Sequence, residues 1–279
     1  MKTFLVILLF ACMFFGGYSA SASQLPAPKG TVRVIAHRGA SGYAPENTMA
    51  SFKKALELKA EMIELDVHLT KDGVAVIMHD GKTDRTTGVK GEIKEMTYEE
   101  IQKLDAGSWY SKDFAGEKVP TLQEVLEWAS GKIQVNIEIK APGCEKIVVD
   151  LINKYDMKNT VIVTSFDHTI LKKIKGLDPE VITGALVGDV SNEQQIKSII
   201  NLCKPDAINP NYLYLNKTKV KYSHDLGLFV NPYTVNDVIS MKQQIKYGVE
   251  GIITNYPDVL LATLDKIKKP EEKKEEKNN

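Results

Sequence analysis

Four short stretches carry side chains that are costly to keep beside an apolar strand unless they are paired or put to use. They are His37-Arg38, Glu64-Leu65-Asp66, His79-Asp80 and Glu138-Ile139-Lys140, each within or at the end of a run rich in Val, Ile, Leu and Met. Taken singly, each has a bland explanation. A histidine at a strand end is more often structural than catalytic, and a Glu-x-Asp pair can be a salt-bridged rim. Taken together, two imidazoles, one guanidinium, one ammonium and three carboxylates arriving at the same kind of position make a poor rim and a good site. Glu64, Asp66 and Glu138 are hard oxygen donors, suited to one divalent cation of the Ca²⁺ or Mg²⁺ kind rather than to a thiol-bound metal. Three carboxylates leave coordination positions open for water and a phosphate oxygen. Arg38 offers a fork that matches phosphate. His37 and His79 can exchange protons near neutral pH as general base and general acid. A metal, an arginine and paired histidines describe displacement at phosphorus.

These residues need elements that bring them to one place. Strand-like runs at 32–36, 62–67, 133–139, 161–164, 181–186, 206–209, 228–231 and 251–254 alternate with amphipathic stretches at 48–58, 121–129, 144–155, 167–174, 192–202, 217–226, 235–247 and 257–266. Strand–helix alternation implies a parallel sheet. Eight repeats imply closure into a distorted (β/α)8 barrel, which takes about 250 residues and builds its active site at the carboxyl ends of its strands. One run breaks the alternation. Residues 74–79 follow 62–67 after a short turn holding Lys71-Asp72-Gly73, too short for a parallel crossover, so they form a hairpin. With Lys71 and Asp72 as the turn, Thr70 faces Gly73 and His79 faces Glu64, which puts Glu64, Asp66 and His79 on one face. Residues 81–119 are too long for an ordinary connection. They read as a small ordered insertion over the barrel mouth, packed on Tyr98, Trp109, Tyr110 and Phe114.

The ends of the chain differ in composition from the rest. Lys2 precedes an almost unbroken apolar run at 4–17, shorter than the roughly 20 residues that span a bilayer, and Ala20-Ser21-Ala22 supplies small residues. Residues 1–22 therefore read as a signal peptide cleaved after Ala22, leaving a secreted or extracytoplasmic protein with no stable membrane span. Residues 23–267 are the barrel domain. The stretch 268–279 holds no apolar residue and reads as a disordered charged tail. The 36 Lys and Arg balance 36 Asp and Glu. Loss of residues 1–22 removes only Lys2, so the mature net charge is −1, which points to no nucleic-acid partner. Two cysteines remain, Cys144 and Cys203. They could pair in an oxidising compartment or stay as buried thiols.

The motifs occur in an order that closely resembles the glycerophosphodiester phosphodiesterases of the secreted bacterial type. His37-Arg38-Gly39, Pro45-Glu46-Asn47-Thr48, Glu64-Leu65-Asp66 and His79-Asp80 lead the series. Asp84-Arg85-Thr86-Thr87, Leu104-Asp105-Ala106-Gly107, Val119-Pro120-Thr121-Leu122, Glu138-Ile139-Lys140 and Ile253-Thr254-Asn255-Tyr256-Pro257-Asp258 continue it. One departure is Tyr233, where the family commonly has Trp. The resemblance implies metal-dependent hydrolysis of a small-molecule glycerophosphodiester to sn-glycerol 3-phosphate and an alcohol. It implies a divalent cation at Glu64, Asp66 and Glu138, with His37 and His79 as base and acid. It places Arg38 on the phosphate, Lys140 on the phosphate or glycerol, and Glu46 and Asn47 behind them as braces. Asn47 is also in position to cap the helix beginning near Thr48. Other diesters fit the same residues: lysophospholipids, sphingomyelin-like lipids or teichoic acids. A surface binding protein that kept the fold without turnover is the alternative outside enzymes, and five intact site residues argue against it.

Overall fold

A computed structural model of the chain describes residues 31–190 and 192–268. The expected signal peptide and all but the first residue of the expected tail lie outside these. Nine strands form one sheet: β1 Arg33–Ala36, β2 Met62–Leu69, β3 Ala75–Ile77, β4 Gln134–Ile139, β5 Val161–Ser165, β6 Ile182–Val187, β7 Ala207–Pro210, β8 Phe229–Val230 and β9 Gly251–Thr254. Eight are parallel and run in the order β8-β7-β6-β5-β4-β2-β1-β9, while β3 pairs antiparallel with β2. Main-chain hydrogen bonds bridge the remaining gap, from Glu250 N to Val230 O at 3.0 Å, from Ile253 N to Pro232 O at 3.0 Å and from Val235 N to Ile253 O at 2.9 Å. The result is a nearly closed barrel.

Among the described residues, eight helices of two turns or more follow the strands: α1 Met49–Glu57, α2 Leu122–Ala129, α3 Glu145–Lys154, α4 His168–Leu177, α5 Glu193–Cys203, α6 Lys217–Asp225, α7 Val238–Tyr247 and α8 Pro257–Lys268. Their starts are written in the sequence. Thr48 with Ser51 and Thr121 with Glu124 form reciprocal capping boxes, satisfying main-chain N–H groups that have no partner within the helix. The apolar helix faces close over the outward side chains of the strands, such as Val34, Ile63, Leu65, Ile137 and Val163.

Alternation along each strand decides what enters the lumen. Ile35, Met62, Ile162, Ala207 and Ile253 form one apolar cluster, and this cluster is the barrel floor. Two residues further along β1, β2 and β5, the same face carries His37, Glu64 and Thr164, and Asp66 follows two residues after Glu64. On β4 the buried Asn136 precedes Glu138 by the same spacing. The ionisable side chains therefore sit one or two strand repeats above an apolar plug.

The hairpin does not take the register the sequence suggests. Val67 pairs with Ile77, His68 with Val76 and Leu69 with Ala75, and Thr70 N donates to Val74 O at 3.0 Å. The turn has three residues rather than two, because Gly73 sits at φ +83°. A glycine in that left-handed state adds one position to the loop and shifts the whole pairing by one. Strand pleat would then send His79 to the Leu65 side, away from Glu64. β3 stops at Ile77, however, and the chain bends at His79 and Asp80, which frees the His79 side chain from the pleat.

The stretch from Gly81 to Val119 is ordered. It contains single helical turns at Asp84–Thr87 and Tyr98–Ile101, and Ile93, Ile101, Ala106 and Val119 pack on Val76 and Met78 as a small second core. Tyr110 stacks edge-to-face with Trp109 at 5.8 Å and Phe114 at 5.7 Å, and its hydroxyl donates to Gly42 O at 2.9 Å. Cys144 and Cys203 are buried free thiols.

Nothing lies within 4 Å of a Cβ built on Gly73, so substitution there meets only the backbone penalty. Gly73→Ala should cost about 1 kcal/mol, a fall in Tm of roughly 2–4 °C for a domain of this size. Gly73→Asn should lose less, since asparagine tolerates the left-handed state. Equal melting of all three proteins would show that this turn does not set the register.

Candidate active site

The carboxyl ends of the strands surround a cavity of about 240 Å³ whose walls include His37, Arg38, Glu64, His79, Glu138 and Lys140. The loop after β1 makes the first wall. Gly39, at φ +78°, passes so close to α1 that an added Cβ would lie 2.4 Å from Ser51 Oγ. Arg38 and Asn47 also hold left-handed φ values, 54° and 58°, strained for residues with a Cβ and typical of a backbone held by its surroundings. The Arg38 main chain donates to Glu64 Oε2 at 2.8 Å. Asn47 does not cap α1; Thr48 does. The Asn47 amide donates instead to Asp66 Oδ2 at 2.7 Å and its carbonyl accepts from Asp66 N at 3.3 Å.

Glu64, Asp66 and Glu138 bring donor oxygens within 4.8 Å of one another, and they are only 4%, 1% and 8% exposed. Three buried carboxylates so close are unstable as bare anions. Burial, then the neighbouring Asp66 and Glu138, pushes Glu64 well above the usual carboxylate range. Burial, then Asp66, raises Glu138 to about 7. Burial also works against the charge on Asp66, but Arg38 and Lys140 outweigh it and hold Asp66 below its ordinary value. Lys140 Nζ lies 2.7 Å from Glu138 Oε1 and 3.4 Å from Asp66 Oδ1, and Arg38 Nε lies 3.3 Å from Asp66 Oδ2. Asp66 Oδ1 is buried and accepts no hydrogen bond. The donor chemistry, the mutual distance and this oxygen without a hydrogen bond all fit a divalent cation.

The two imidazoles are clamped in different ways. His37 Nδ1 lies 2.7 Å from Asn255 Oδ1, an acceptor, so Nδ1 carries the proton and Nε2 the lone pair. Enclosure by the protein, then Arg38, lowers His37 to about 4. His79 Nδ1 meets Asp80 Oδ1 at 2.6 Å. Arg85 Nε donates to the other Asp80 oxygen at 2.6 Å, and this bond holds the Asp80 carboxyl at about 2. Arg85 also grips Glu46 through both terminal nitrogens at 2.7 and 3.0 Å, and Glu46 accepts from Arg38 Nη1 at 2.9 Å.

Side-chain contacts join six of the seven expected site residues and both expected braces, and His37 lines the same cavity. Local sequence pattern does not reveal Arg85, Asn255 or the pairing role of Asp80 as parts of the site. Arg85 and Asn255 stand inside quoted motifs, but nothing local shows that they reach residues 39 and 218 positions away. Phe166 and Tyr233 also line the cavity, with ring centroids 5.9 Å apart in an edge-to-face pair.

Residues 37–259 match the model of the glycerophosphoryl diester phosphodiesterase family. The chain belongs to that family. It is 37% identical over 261 residues to a glycerophosphodiester phosphodiesterase of Bacillus subtilis, covering 86% of this chain and 89% of the relative. It is 41% identical over 239 residues to a namesake from Caldanaerobacter subterraneus subsp. tengcongensis, covering 84% and 98%. A phosphodiesterase structure from Oleispira antarctica in complex with the product sn-glycerol-3-phosphate superposes with a TM-score of 0.77 at 29% identity, covering 84% of this chain and 97% of that one. The family's fold is thus the barrel described above.

Glu138 gives a titration test. Its carboxyl titrates near 7 in the folded protein, above the ordinary value of 4.5. Its contribution to stability is complete below pH 4.5 and is lost as pH rises through about 7. In excess chelator, wild type and Glu138→Gln should melt alike near pH 4.5. The wild type should fall several degrees below the variant by pH 8. Parallel Tm profiles across that range would contradict the buried-anion account.

Proposed function

We propose that this protein hydrolyses glycerophosphodiesters to sn-glycerol 3-phosphate and an alcohol, with one divalent cation held by Glu64, Asp66 and Glu138. The observation that carries this reading is the meeting of both imidazoles, two cationic side chains, Glu64 and Glu138 in a single cavity, with buried Asp66 beside the two glutamates. A cation bound there supplies Lewis acidity toward a phosphoryl oxygen and lowers the pKa of an attacking hydroxyl. Ca²⁺ and Mg²⁺ both suit the all-oxygen donor set.

The chain's own residues do the rest. Arg38 and Lys140 face the carboxylates and can present N–H donors to the free oxygens of the phosphodiester. One imidazole Nε2 accepts the proton of the attacking hydroxyl, and the other imidazole delivers a proton to the departing alcohol. Family likeness favours the substrate's own glycerol 2-hydroxyl as nucleophile, giving a cyclic phosphate. Water then opens the ring while the two histidines exchange roles. Asn255 and Asp80 fix the rings for this exchange by holding each Nδ1. Glu46 and Asn47 brace Arg38 and Asp66.

One feature favours a second reading, cleavage of a lysophospholipid. Phe166 is 51% exposed on the cavity wall, and Leu213 and Tyr214, after β7, are 68% and 55% exposed. Side chains of this kind on the carboxyl-end loops could accept an acyl chain. Export by residues 1–22 is the compartment we propose. Its support is the apolar run at 4–17, and an N-terminus at Ser23 in the mature protein is the result expected from mass spectrometry.

The deciding assay is coupled detection of glycerol 3-phosphate released from glycerophosphocholine, glycerophosphoethanolamine and glycerophosphoglycerol, with Ca²⁺ and Mg²⁺ in turn. Chelator should stop turnover and added cation should restore it. His37→Ala and His79→Ala should each lose on the order of 10²–10⁴ in kcat. Full activity in chelator would remove the metal from the mechanism, and wild-type kcat in either variant would remove that histidine. Turnover of lysophosphatidylcholine with none of glycerophosphocholine would favour the second reading. A substrate with hydrogen in place of the 2-hydroxyl should be inert; its cleavage would point to direct attack by water.

A further inference from the structure

His79 faces the cavity even though its strand register would turn it away. Pairing of Val67 with Ile77, extended by the hydrogen bond from Met78 N to Asp66 O at 3.0 Å, would set His79 opposite Leu65. Leu65 belongs to the apolar layer outside the barrel, whereas His79 lines the same cavity as Glu64 and Glu138. Something must hold the main chain off the pleat at this one residue. The His68 ring is placed to do it. His68 follows Glu64 and Asp66 on the same face of β2, and its Nε2 lies 3.1 Å from the His79 carbonyl oxygen. A carbonyl can only accept, so Nε2 is the donor. The ring also passes beside Gly81, with His68 Cε1 3.7 Å from where a Cβ would stand, an ordinary contact distance. His68 does not line the catalytic cavity; it borders a separate groove of about 600 Å³ with Lys71, Lys82 and Ile93.

We infer that His68 is a positioning residue: its hydrogen bond to the His79 carbonyl holds the bend that turns the His79 ring into the cavity. Asp80 and Arg85 orient the ring from its Nδ1 side, and His68 fixes the main chain that carries it. This inference rests on the reading of His79 as an acid–base group. Its consequence is a split between rate and binding. Misplacing a catalytic ring by about 1 Å can cost about a hundredfold in rate, while the cation and the phosphate are held by other residues.

The test compares His68→Leu, which removes the donor, with His68→Gln, whose amide N–H can reach the same carbonyl. His68→Leu should lower kcat about ten- to a hundredfold with KM within about twofold of wild type, and His68→Gln should recover most of the loss. Divalent-cation affinity, measured by calorimetry, should be unchanged in both. The imidazole resonances of His79 should move in His68→Leu and stay near their wild-type positions in His68→Gln, a readout that needs no turnover. Wild-type kcat in His68→Leu overturns the inference. So does equal impairment of both variants, or a loss that tracks cation affinity. If His68→Leu does not fold, His68→Asn asks the same question with an amide one methylene shorter: it should fall below His68→Gln in kcat, and equality overturns the inference. A wild-type protein that releases no product defeats the proposed activity instead, and the resonance comparison still decides the role of His68.

Discussion

The structure turns on three carboxylates that cannot be stable together as they stand. Glu64, Asp66 and Glu138 are buried within one small volume, where mutual repulsion and loss of water both oppose their charge. Every notable contact nearby answers that problem. Lys140 and Arg38 approach the oxygens, the Asn47 amide and the Arg38 main-chain N–H donate to them, and Glu46 with Arg85 secures Arg38 from behind. A divalent cation answers it more completely, since it supplies two charges at the point where the oxygens converge. The same side chains that make the metal-free site tolerable are those a phosphodiester would need once the carboxylates are neutralised.

The barrel supplies this concentration of charge through strand parity. β1, β2 and β4 each have an apolar or neutral residue low in the lumen and an ionisable one a strand repeat above it. An apolar floor of Ile35, Met62, Ile162 and Ile253 keeps water from entering below. The cavity lies above it, at the carboxyl ends of the strands. Buried carboxylates above the apolar floor keep the strength that low dielectric gives their contacts.

Much of this was legible in the sequence because it depends on short-range periodicity. The eight parallel strands and eight helices follow from alternation. The shared face of Glu64 and Asp66 follows from a spacing of two. What escaped needed information that no local pattern holds. Gly73 adds one residue to the turn by taking a left-handed φ, and a two-residue and a three-residue hairpin look alike in composition. His79 was placed on the correct side by an incorrect register, because the strand ends before it and a bend restores the direction. Asn47 was read as a cap from its type, yet Thr48 takes that role and leaves Asn47 to Asp66. Arg85 and Asn255 find partners far along the chain, and only the closed barrel brings them there.

The two histidines show why these distant partners matter chemically. Asn255 and Asp80 each accept from Nδ1, so both rings hold the same tautomer and both present Nε2 as a lone pair. Two neutral rings in that state are two bases. Displacement at phosphorus also needs an acid, so the working pair must carry one extra proton between them. His37, enclosed by protein and beside Arg38, resists that charge down to about pH 4. Its Nδ1 partner is a neutral amide that cannot offset a cation, whereas the partner of His79 is a carboxylate kept ionised by Arg85. On the proposed mechanism, one ring gives the extra proton to the departing alcohol while the other accepts the proton of the attacking hydroxyl. The return of that proton to the product is what resets the pair.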